Sequence, residues 1–151
     1  MNNMQITNVS PIVYLDADEK MRDHVGREWG EKAARHMHLV NGFSIIALDH
    51  ELLIGLISVY RKKLPLLETF DWYIDILEVH KNYRRKGIAT HLIQMVCERA
   101  KEAGIYQIRS WSSEDKVEAI PMWKALEFGL GPATTYLQGK EVKGYFLARV
   151  L

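Results

Sequence analysis

The sequence predicts an α/β (α+β) fold, with about seven strands and about four helices in a single domain of residues 1–151. Two neighbouring segments are the main evidence. Tyr73–Val79 is rich in Ile, Leu, Val and Tyr, which is typical of a strand with little solvent on either face. Ile88, Leu92 and Val96 then recur at helical spacing, with charged residues on the opposite side and Gly104 as a stop signal. A strand that leads into a helix through a short turn therefore forms the centre of the predicted fold.

Before this centre, the sequence predicts one strand followed by two helices. Gln5–Val9 is the candidate first strand. Asp16 is in position to cap the first helix, with Glu19 three residues on in the manner of a capping box. Helical character then continues unevenly, and Gly26 and Gly30 suggest a break into two helices.

A hairpin and a loop are predicted next. Phe43–Leu48 and Leu52–Tyr60 have the composition of strands, and the polar turn Asp49–Glu51 joins them. Arg61–Glu68 contains a proline and is predicted to be a loop that leads into the central strand.

The C-terminal part of the chain is predicted to contain a strand, a short helix and a closing hairpin. The strand covers Ile105–Trp111 and the helix covers Val117–Leu126. Glycines and a proline in Gly129–Pro132 predict a break in the chain. Thr134–Leu137 and Val142–Val150 then pair as a hairpin around a Gly-Lys turn.

Composition excludes several functions and gives an expected location. The net charge is +1, with 48% hydrophobic and 26% charged residues, so no overall field attracts DNA, RNA or an anionic membrane. We therefore expect neither nucleic acid nor membrane as a partner. The one cysteine, Cys97, excludes an internal disulfide, and its place on the apolar side of a helix predicts a core residue. No secretory leader and no apolar run of membrane-spanning length is visible, so a cytoplasmic location is expected.

The turn between the central strand and the central helix is basic and contains a glycine. Four of its side chains carry positive charge: Lys81, Arg84, Arg85 and Lys86. Backbone N–H groups at the start of a helix bind anions, because they have no acceptor in the helix and the helix dipole favours negative charge there. The turn therefore predicts a phosphate-binding cradle. A solvated basic loop and a patch that contacts nucleic acid are the alternatives.

Leu77–Val79, followed by Arg84–Ala89, resembles the acyl-CoA signature of the GNAT superfamily of N-acetyltransferases. The residues at the fixed positions of that signature are Arg84, Gly87 and Ala89. The similarity continues through Ala119–Trp123 and Phe128. The resemblance implies a GNAT-type three-layer fold whose central sheet is mixed but mostly antiparallel, with helices on both faces.

The resemblance also implies acetyl-CoA as cosubstrate and no metal ion. In this family the main chain of the turn holds the pyrophosphate, and the edge of the central strand hydrogen-bonds the pantetheine arm. The residues of this chain that the resemblance assigns to the cofactor are Leu77, Glu78, Val79, Arg84, Arg85, Lys86, Gly87, Ile88, Ala89, Thr90, Lys116 and Trp123. The implied acceptor is an amine on a small molecule or a protein, and a homodimer is included among the expected assemblies.

Asp75 is the first candidate for the base that removes a proton from the amine. In a regular strand it shares one face with Tyr73 and Leu77. A carboxylate within an apolar strand is costly to bury unless it is paired or poised for catalysis. Counted back from the signature, Asp75 and Tyr73 stand where several enzymes of the family place a base or its water relay. Glu78 is the second choice and His80 the third. The alternative is a structural Asp75 that is hydrogen-bonded to a neighbouring strand.

The sequence departs from the family where a general acid is expected. Lys116 and Trp123 stand at the positions that the family usually gives to Asn and Tyr. An indole N–H is far too weak an acid to protonate the departing thiolate. The donor is therefore Tyr106, Tyr136 or water, or the thiolate leaves unaided, since a free thiol has a pKa of only ~8.5.

His36 and His38 lie two positions apart in a predicted helix, so their side chains should diverge and not share a metal ion.

The leading function is an N-acetyltransferase. The alternatives are a non-catalytic acyl-CoA sensor and a nucleic-acid-binding module based on the basic turn, which the near-neutral composition disfavours.

Overall fold

The computed structural model describes residues 11–64 and 69–151. Within them the chain forms seven strands and four helices, and their types follow one another in the predicted order. The elements are β1 (Val13–Asp16), α1 (Glu19–Trp29), α2 (Glu31–Arg35), β2 (Gly42–Asp49), β3 (Leu52–Leu64), β4 (Thr69–Val79), α3 (Ile88–Glu102), β5 (Gln107–Ser113), α4 (Ala119–Ala125), β6 (Gly129–Leu137) and β7 (Lys140–Val150). The predicted strand Gln5–Val9 and residues 65–68 of the predicted loop lie outside the described residues. None of the helices in the described ranges is long and apolar enough to cross a membrane.

The strands form one sheet in the order β1-β2-β3-β4-β5-β7-β6. Neighbours are antiparallel except β4 and β5, which are parallel. Helices α3 and α4 cover one face, where Leu92 and Trp123 join a buried cluster with Ile108. Helices α1 and α2 cover the other face, where Val25 packs with Leu53. The predicted three-layer arrangement around a mixed, mostly antiparallel sheet is confirmed.

The N-terminal strand and the first helix differ from the prediction in detail. β1 pairs with β2 up to Asp16, so this residue ends a strand and does not cap a helix. The cap is Asp18, whose carboxylate accepts a hydrogen bond of 2.9 Å from the Met21 N–H. Asp16 instead forms an ion pair with Arg99 of α3. The predicted break between two helices is confirmed at Gly30, where φ is +99°.

β3 and β6 are longer than predicted. Arg61–Leu64 pair with the start of β4, so the prediction of a loop is wrong for these residues. Gly129–Pro132 pair with β7, although their composition predicted a break. β6 is an edge strand, and an edge strand tolerates a proline because the missing N–H faces away from the ladder.

A β-bulge lies in β4 at Asp75. Two consecutive residues of β3 pair with Ile74 and Ile76, which leaves Asp75 without a partner in β3. The extra residue reverses the alternation of side chains beyond it. Leu77 therefore packs with Ile74 in the cluster under α3, whereas Ile76 packs on the opposite face. The predicted sharing of one face by Asp75 and Leu77 is wrong for this reason.

β4 and β5 separate soon after they meet. Their parallel pairing is limited to Trp72 with Ile108 and Tyr73 with Arg109. Beyond these pairs, the edge of β4 that faces β5 pairs with no strand in the part of the chain that the structure describes. Side chains occupy two carbonyl oxygens of this stretch: Ser110 Oγ donates to that of Ile74 at 2.9 Å, and Arg84 Nε donates to that of Val79 at 3.2 Å. The other main-chain groups on this edge are available to a ligand that lies alongside as another strand would.

We predict that Gly144→Ala destabilises the protein, because β5 and β7 are closely packed at this glycine. An added Cβ would lie 2.3 Å from the Ser112 carbonyl oxygen and 2.8 Å from the Trp111 ring. The neighbouring backbone must move, which should lower the free energy of unfolding by at least about 2 kcal/mol. Gly131→Ala is the control, because the nearest atom to its added Cβ is the Phe146 carbonyl oxygen at 3.9 Å. Equal unfolding midpoints in urea for the two variants would contradict the prediction.

Candidate active site

The turn between β4 and α3 has the backbone of an anion-binding site. Arg85 and Gly87 adopt left-handed conformations, with φ of +65° and +81°. The first N–H groups of α3, from Ile88 to Thr90, have no acceptor inside the helix, and no side chain of residues 11–64 or 69–151 caps them. An added Cβ at Gly87 would meet no atom within 4 Å. The open space before the helix N-terminus is therefore suited to a phosphate group.

Contacts on two sides fix this turn. The Tyr83 hydroxyl donates a hydrogen bond of 2.5 Å to Oδ2 of Asp49, at the hairpin between β2 and β3. Arg85 forms an ion pair of 3.3 Å with Glu118, which precedes α4. Both partners of the ion pair are exposed, so it contributes little to stability. Tyr83, to which the sequence analysis gave no role, is the stronger anchor of the turn.

The other predicted cofactor contacts lie near the turn or in the core. Arg84 donates from Nε to the Val79 carbonyl oxygen at 3.2 Å and ties the turn to the end of β4. Lys116 is exposed in the segment between β5 and α4. Trp123 is only 4% exposed, and its ring packs against Phe128 with centroids 4.8 Å apart. The exposed residues of the turn are Lys81, Asn82, Arg84, Arg85, Lys86 and Gly87.

A groove opens where β4 and β5 separate. Its volume is about 270 Å³. Its walls are formed by side chains from four strands. Most of these side chains are apolar, and one carries a carboxylate. The lining residues are Tyr73, Ile74, Asp75, Trp111, Thr135, Leu137 and Phe146. The groove therefore presents a single acidic side chain within a mainly apolar surface.

Two histidines converge on Asp75. His36 Nδ1 lies 3.1 Å and His38 Nε2 lies 2.8 Å from the same carboxylate oxygen, Oδ2. The prediction that their side chains diverge is wrong, because α2 ends at Arg35 and both histidines lie beyond the regular helix. Among residues 11–64 and 69–151, no group of three or more His, Cys, Asp or Glu side chains is arranged to hold a metal ion. We refer to Asp75, His36 and His38 as the Asp75 cluster.

Two tyrosines adjoin the Asp75 cluster. The Tyr60 ring centroid lies 4.9 Å from that of His38 and 5.3 Å from that of Tyr73. Burial raises the pKa of both tyrosines, the Asp75 carboxylate raises it further, and Arg109 opposes the shift. Both hydroxyls are therefore protonated at neutral pH. Tyr73, which the family resemblance placed with Asp75 at the position of a base or its water relay, lines the groove as a hydrogen-bond donor.

The two tyrosines that the sequence suggested as proton donors for the thiolate do not lie in the groove. Tyr106 and Tyr136 are 59% and 72% exposed, and neither lines the groove. On strand β6, Thr135 and Leu137 face the groove, so Tyr136 between them faces away from it.

Glu78 and His80 border a second, larger cavity of about 380 Å³. Its walls come from the end of α1, the start of β3 and the end of β4. The lining residues are Glu28, Trp29, Leu52, Leu53, Glu78, Val79, His80 and Lys81. The structure therefore separates the two candidate carboxylates, with Asp75 in the groove and Glu78 in the second cavity.

Comparison with known proteins agrees with this architecture. Residues 10–128 match the model of the acetyltransferase (GNAT) family, which is more than half of the chain. The protein is therefore an acyltransferase. More particularly, it belongs to the acetyltransferase (GNAT) family, and the resemblance seen in the sequence is confirmed.

Individual relatives support the same assignment. N-alpha-acetyltransferase 30 of Schizosaccharomyces pombe is 25% identical over 127 residues, which cover 84% of this chain and 79% of that protein. Arabidopsis thaliana NAA60 in complex with acetyl-CoA has a TM-score of 0.77 and 17% identity, over 93% of this chain and 100% of that chain. Arabidopsis thaliana Naa50 in complex with the bisubstrate analogue CoA-Ac-MVNAL has a TM-score of 0.73 and 17% identity, over 95% and 100% of the two chains. The two structural similarities establish a shared fold.

We predict that Tyr83→Phe lowers the melting temperature near neutral pH, because it removes the hydrogen bond that fixes the turn. This bond lowers the pKa of Asp49 below its ordinary value of 3.8 and raises the pKa of Tyr83 above 10.0. A carboxylate with a lowered pKa stabilises the fold above its ordinary pKa and ceases to do so as the pH falls through its folded value. A hydroxyl with a raised pKa stabilises the fold below its ordinary pKa and ceases to do so as the pH rises through its folded value.

The difference in melting temperature between wild type and Tyr83→Phe should therefore be largest at pH values above the titration of Asp49 and below the titration of Tyr83. It should disappear as the pH falls below 3.8 through the titration of Asp49, and again as Tyr83 ionises. Tyr106→Phe is the control, because Tyr106 is 59% exposed. A difference that remains constant across the acid limit would show that the hydrogen bond is not its cause.

Proposed function

We propose that this acetyltransferase moves the acetyl group of acetyl-CoA to a primary amine by direct attack of the amine on the thioester. The observation that carries the proposal is the separation of β4 from β5 directly before the basic turn, with the Asp75 carboxylate in the resulting groove. The complex of NAA60 with acetyl-CoA supports the cosubstrate, and the name of N-alpha-acetyltransferase 30 supports an amine acceptor.

The turn would hold the pyrophosphate of acetyl-CoA through main-chain N–H groups. Those of Arg85–Thr90 lie at or before the first turn of α3, where the helix dipole also favours negative charge. The side chains of Arg84 and Lys86 add positive charge at the surface, so their contribution is screened by salt. Because the net charge of the chain is only +1, this attraction is local to the turn.

The pantetheine arm would lie along the free edge of β4. Leu77–Val79 lies on that edge beyond the point where β5 has separated. The amides of pantetheine can hydrogen-bond such an edge as an added strand does. The thioester would then reach the groove beside the bulge at Asp75.

Asp75 would remove the proton that the amine must lose before it attacks. An ammonium group has no lone pair, so deprotonation precedes formation of the C–N bond. Attack on the carbonyl carbon produces a tetrahedral oxyanion, which a main-chain N–H on the β4 edge would stabilise. The C–S bond then breaks, and the protonated Tyr73 hydroxyl would hydrogen-bond the departing thiolate.

The acceptor that we propose to test first is the N-terminal amine of a protein or peptide. Asp75 offers a partner for an ammonium group, and Trp111, Leu137 and Phe146 surround it with apolar surface. Leu137 and Phe146 are 57% and 46% exposed, so an amine attached to an apolar residue would cover them. The MVNAL portion of the analogue bound by Naa50 supports this choice. A small-molecule amine is the alternative.

Calorimetry with acetyl-CoA, followed by turnover with the peptide MVNAL, tests the proposed function. Release of free coenzyme A together with acetylation of the peptide, detected by mass, is the expected result. The same peptide with a blocked N-terminus is the matched control. Tight binding of acetyl-CoA without turnover of any peptide or small amine would favour the acyl-CoA sensor instead. The burial of Trp123 at the position of the usual Tyr is the observation that favours this second candidate.

We predict that Gly87→Val weakens acetyl-CoA binding by at least about 2 kcal/mol, because the new side chain fills the open space before α3. Gly104→Val is a matched control at the other end of the same helix. Its φ of +72° is close to the +81° of Gly87, and an added Cβ there also meets no atom within 4 Å. Both variants carry similar backbone strain, but only one obstructs the cradle. Calorimetry that finds the same affinity in both folded variants would remove the cradle assignment.

We predict that Asp75→Asn lowers kcat by about 10²–10⁴-fold, the usual contribution of a general base, with nearly unchanged affinity for acetyl-CoA. The loss should shrink at high pH, where the amine deprotonates without help. Glu78→Gln is the comparison, because it removes the carboxylate of the second cavity. A stable Asp75→Asn variant with wild-type kcat, together with a larger loss in Glu78→Gln, would transfer the role of base to Glu78. An Asp75→Asn variant that melts early and loses binding and turnover together would indicate a structural Asp75.

A further inference from the structure

We propose that His36 is the residue through which the proton taken up by Asp75 leaves the site, and that His38 positions Asp75 for this transfer. The inference rests on the proposed function, because the proton concerned is the one released by the acceptor amine. It is carried by the geometry of the Asp75 cluster at the bulge of β4. Neither histidine lines the groove, so both act behind the carboxylate and not on the acceptor itself.

The two oxygens of Asp75 have different surroundings. Both histidines contact Oδ2, at 3.1 Å from His36 Nδ1 and 2.8 Å from His38 Nε2. Among the described residues no hydrogen bond reaches Oδ1. Oδ1 is therefore the oxygen available to the amine, while Oδ2 connects the carboxylate to the imidazoles.

The two histidines differ in exposure and in how firmly they are held. The side chain of His36 is 45% exposed, whereas that of His38 is 30% exposed. The backbone N–H of His38 donates a hydrogen bond of 2.7 Å to Ser58 Oγ, and its ring packs against Tyr60. His38 is thus fixed on the sheet, and His36 is the member of the cluster with better access to water.

An exit route is needed because the acceptor would close the groove side of Asp75. The Asp75 side chain is only 26% exposed, and it lines the groove that opens between β4 and β5. A proton held on Asp75 would block the next turnover until it reached solvent. The contact with His36 provides a path on the side away from the groove.

The proposed transfer conserves protons and electrons. The amine N–H bond breaks, its electron pair stays on nitrogen, and the proton binds Oδ1 of Asp75. Rotation of the neutral carboxyl group then brings this O–H to Nδ1 of His36, in the tautomer that carries its hydrogen on Nε2, and transfer of the proton produces an imidazolium and restores the carboxylate. Nε2 of His36 releases its proton to water. The neutral ring, now with its hydrogen on Nδ1, returns to the Nε2–H tautomer by proton exchange with water before the next turnover.

The other charged and titratable groups near the cluster come from α1, β3, β4 and β5. From α1, Arg22 donates to the Met37 carbonyl oxygen at 3.0 Å. Tyr60 of β3 and Tyr73 of β4 have raised pKa values and stay protonated at neutral pH. Arg109 of β5 is paired with Asp71 at 3.4 Å and stays charged.

Two variants that preserve hydrogen bonding test the assignment. His36→Asn keeps an N–H donor near the place of Nδ1, and His38→Gln keeps one near the place of Nε2, but neither amide can carry a proton. Turnover of acetyl-CoA with the peptide MVNAL, or with the small amine that the wild type turns over best, is measured at increasing concentrations of imidazole. We expect kcat of His36→Asn to fall on the order of ten-fold at low buffer and to recover as imidazole rises. The KM for acetyl-CoA should stay the same, and His38→Gln should lose less activity and show no recovery.

Each other outcome overturns the assignment. Wild-type kcat in His36→Asn at low buffer, or a loss that imidazole does not restore, would remove His36 from the path. Recovery by imidazole in His38→Gln alone would make His38 the exit residue. Calorimetry on the wild type separates these failures from failure of the proposed function, because a wild type that binds no acetyl-CoA or acetylates no amine overturns both proposals together.

Discussion

The early separation of β4 from β5 is the constraint on which the rest of the site depends. Parallel pairing ends at Tyr73 with Arg109, and the bulge at Asp75 follows two residues later. A bulge bends its strand and increases the local twist, so β4 turns away from β5 while it remains paired with β3. Without this separation the edge of β4 would be paired, and the groove would be filled by the neighbouring strand. One irregularity in a single strand therefore accounts for both the free edge of β4 and the opening beside it.

The same bulge places a carboxylate in the groove while both faces of the sheet remain packed. Ile74 and Leu77 pack under α3, and Ile76 packs on the face of α1 and α2. A regular strand would have turned one of these apolar side chains to the wrong layer. Asp75 occupies the extra position, where its side chain meets two imidazoles and the groove. The polar residue of an apolar strand therefore lies where the strand is irregular.

Features that depend on local backbone were predictable from the sequence, and features that depend on register were not. The glycine at position 87 and the basic residues before it indicated a turn at a helix start, and the structure has such a turn, with positive φ at Arg85 and Gly87. The bulge was not predictable, because strand alternation assumes regular pairing. The convergence of His36 and His38 required knowledge of where α2 ends. The available signal was the apolar Met37 between two polar residues, which is the alternation of an extended chain, and Met37 is 2% exposed.

Contacts between residues far apart in the sequence could not be predicted either, because they depend on how the strands pair and pack. Tyr83 and Asp49 are 34 residues apart, and nothing local to either indicates the other. Trp123 stays a prediction as a cofactor contact, because the family position suggested it and the structure shows the side chain packed against Phe128. Family position shows where the backbone lies, whereas the burial of a side chain depends on the packing of this particular chain.

Family membership predicts the proposed main-chain contacts to the cofactor, but it does not predict the side chains that form the groove. On the cofactor side, the proposed contacts are N–H groups of the turn and of the β4 edge, which any sequence can supply once Gly87 permits the turn. Such a site survives extensive substitution, which is consistent with a shared fold at low identity. On the acceptor side, the groove is defined by the side chains of Asp75, Trp111 and Phe146, together with histidines from outside the strand. In the proposed function those groups would determine the charge, the shape and the proton transfer at the acceptor site, so the acceptor has to be identified from this chain's own groove.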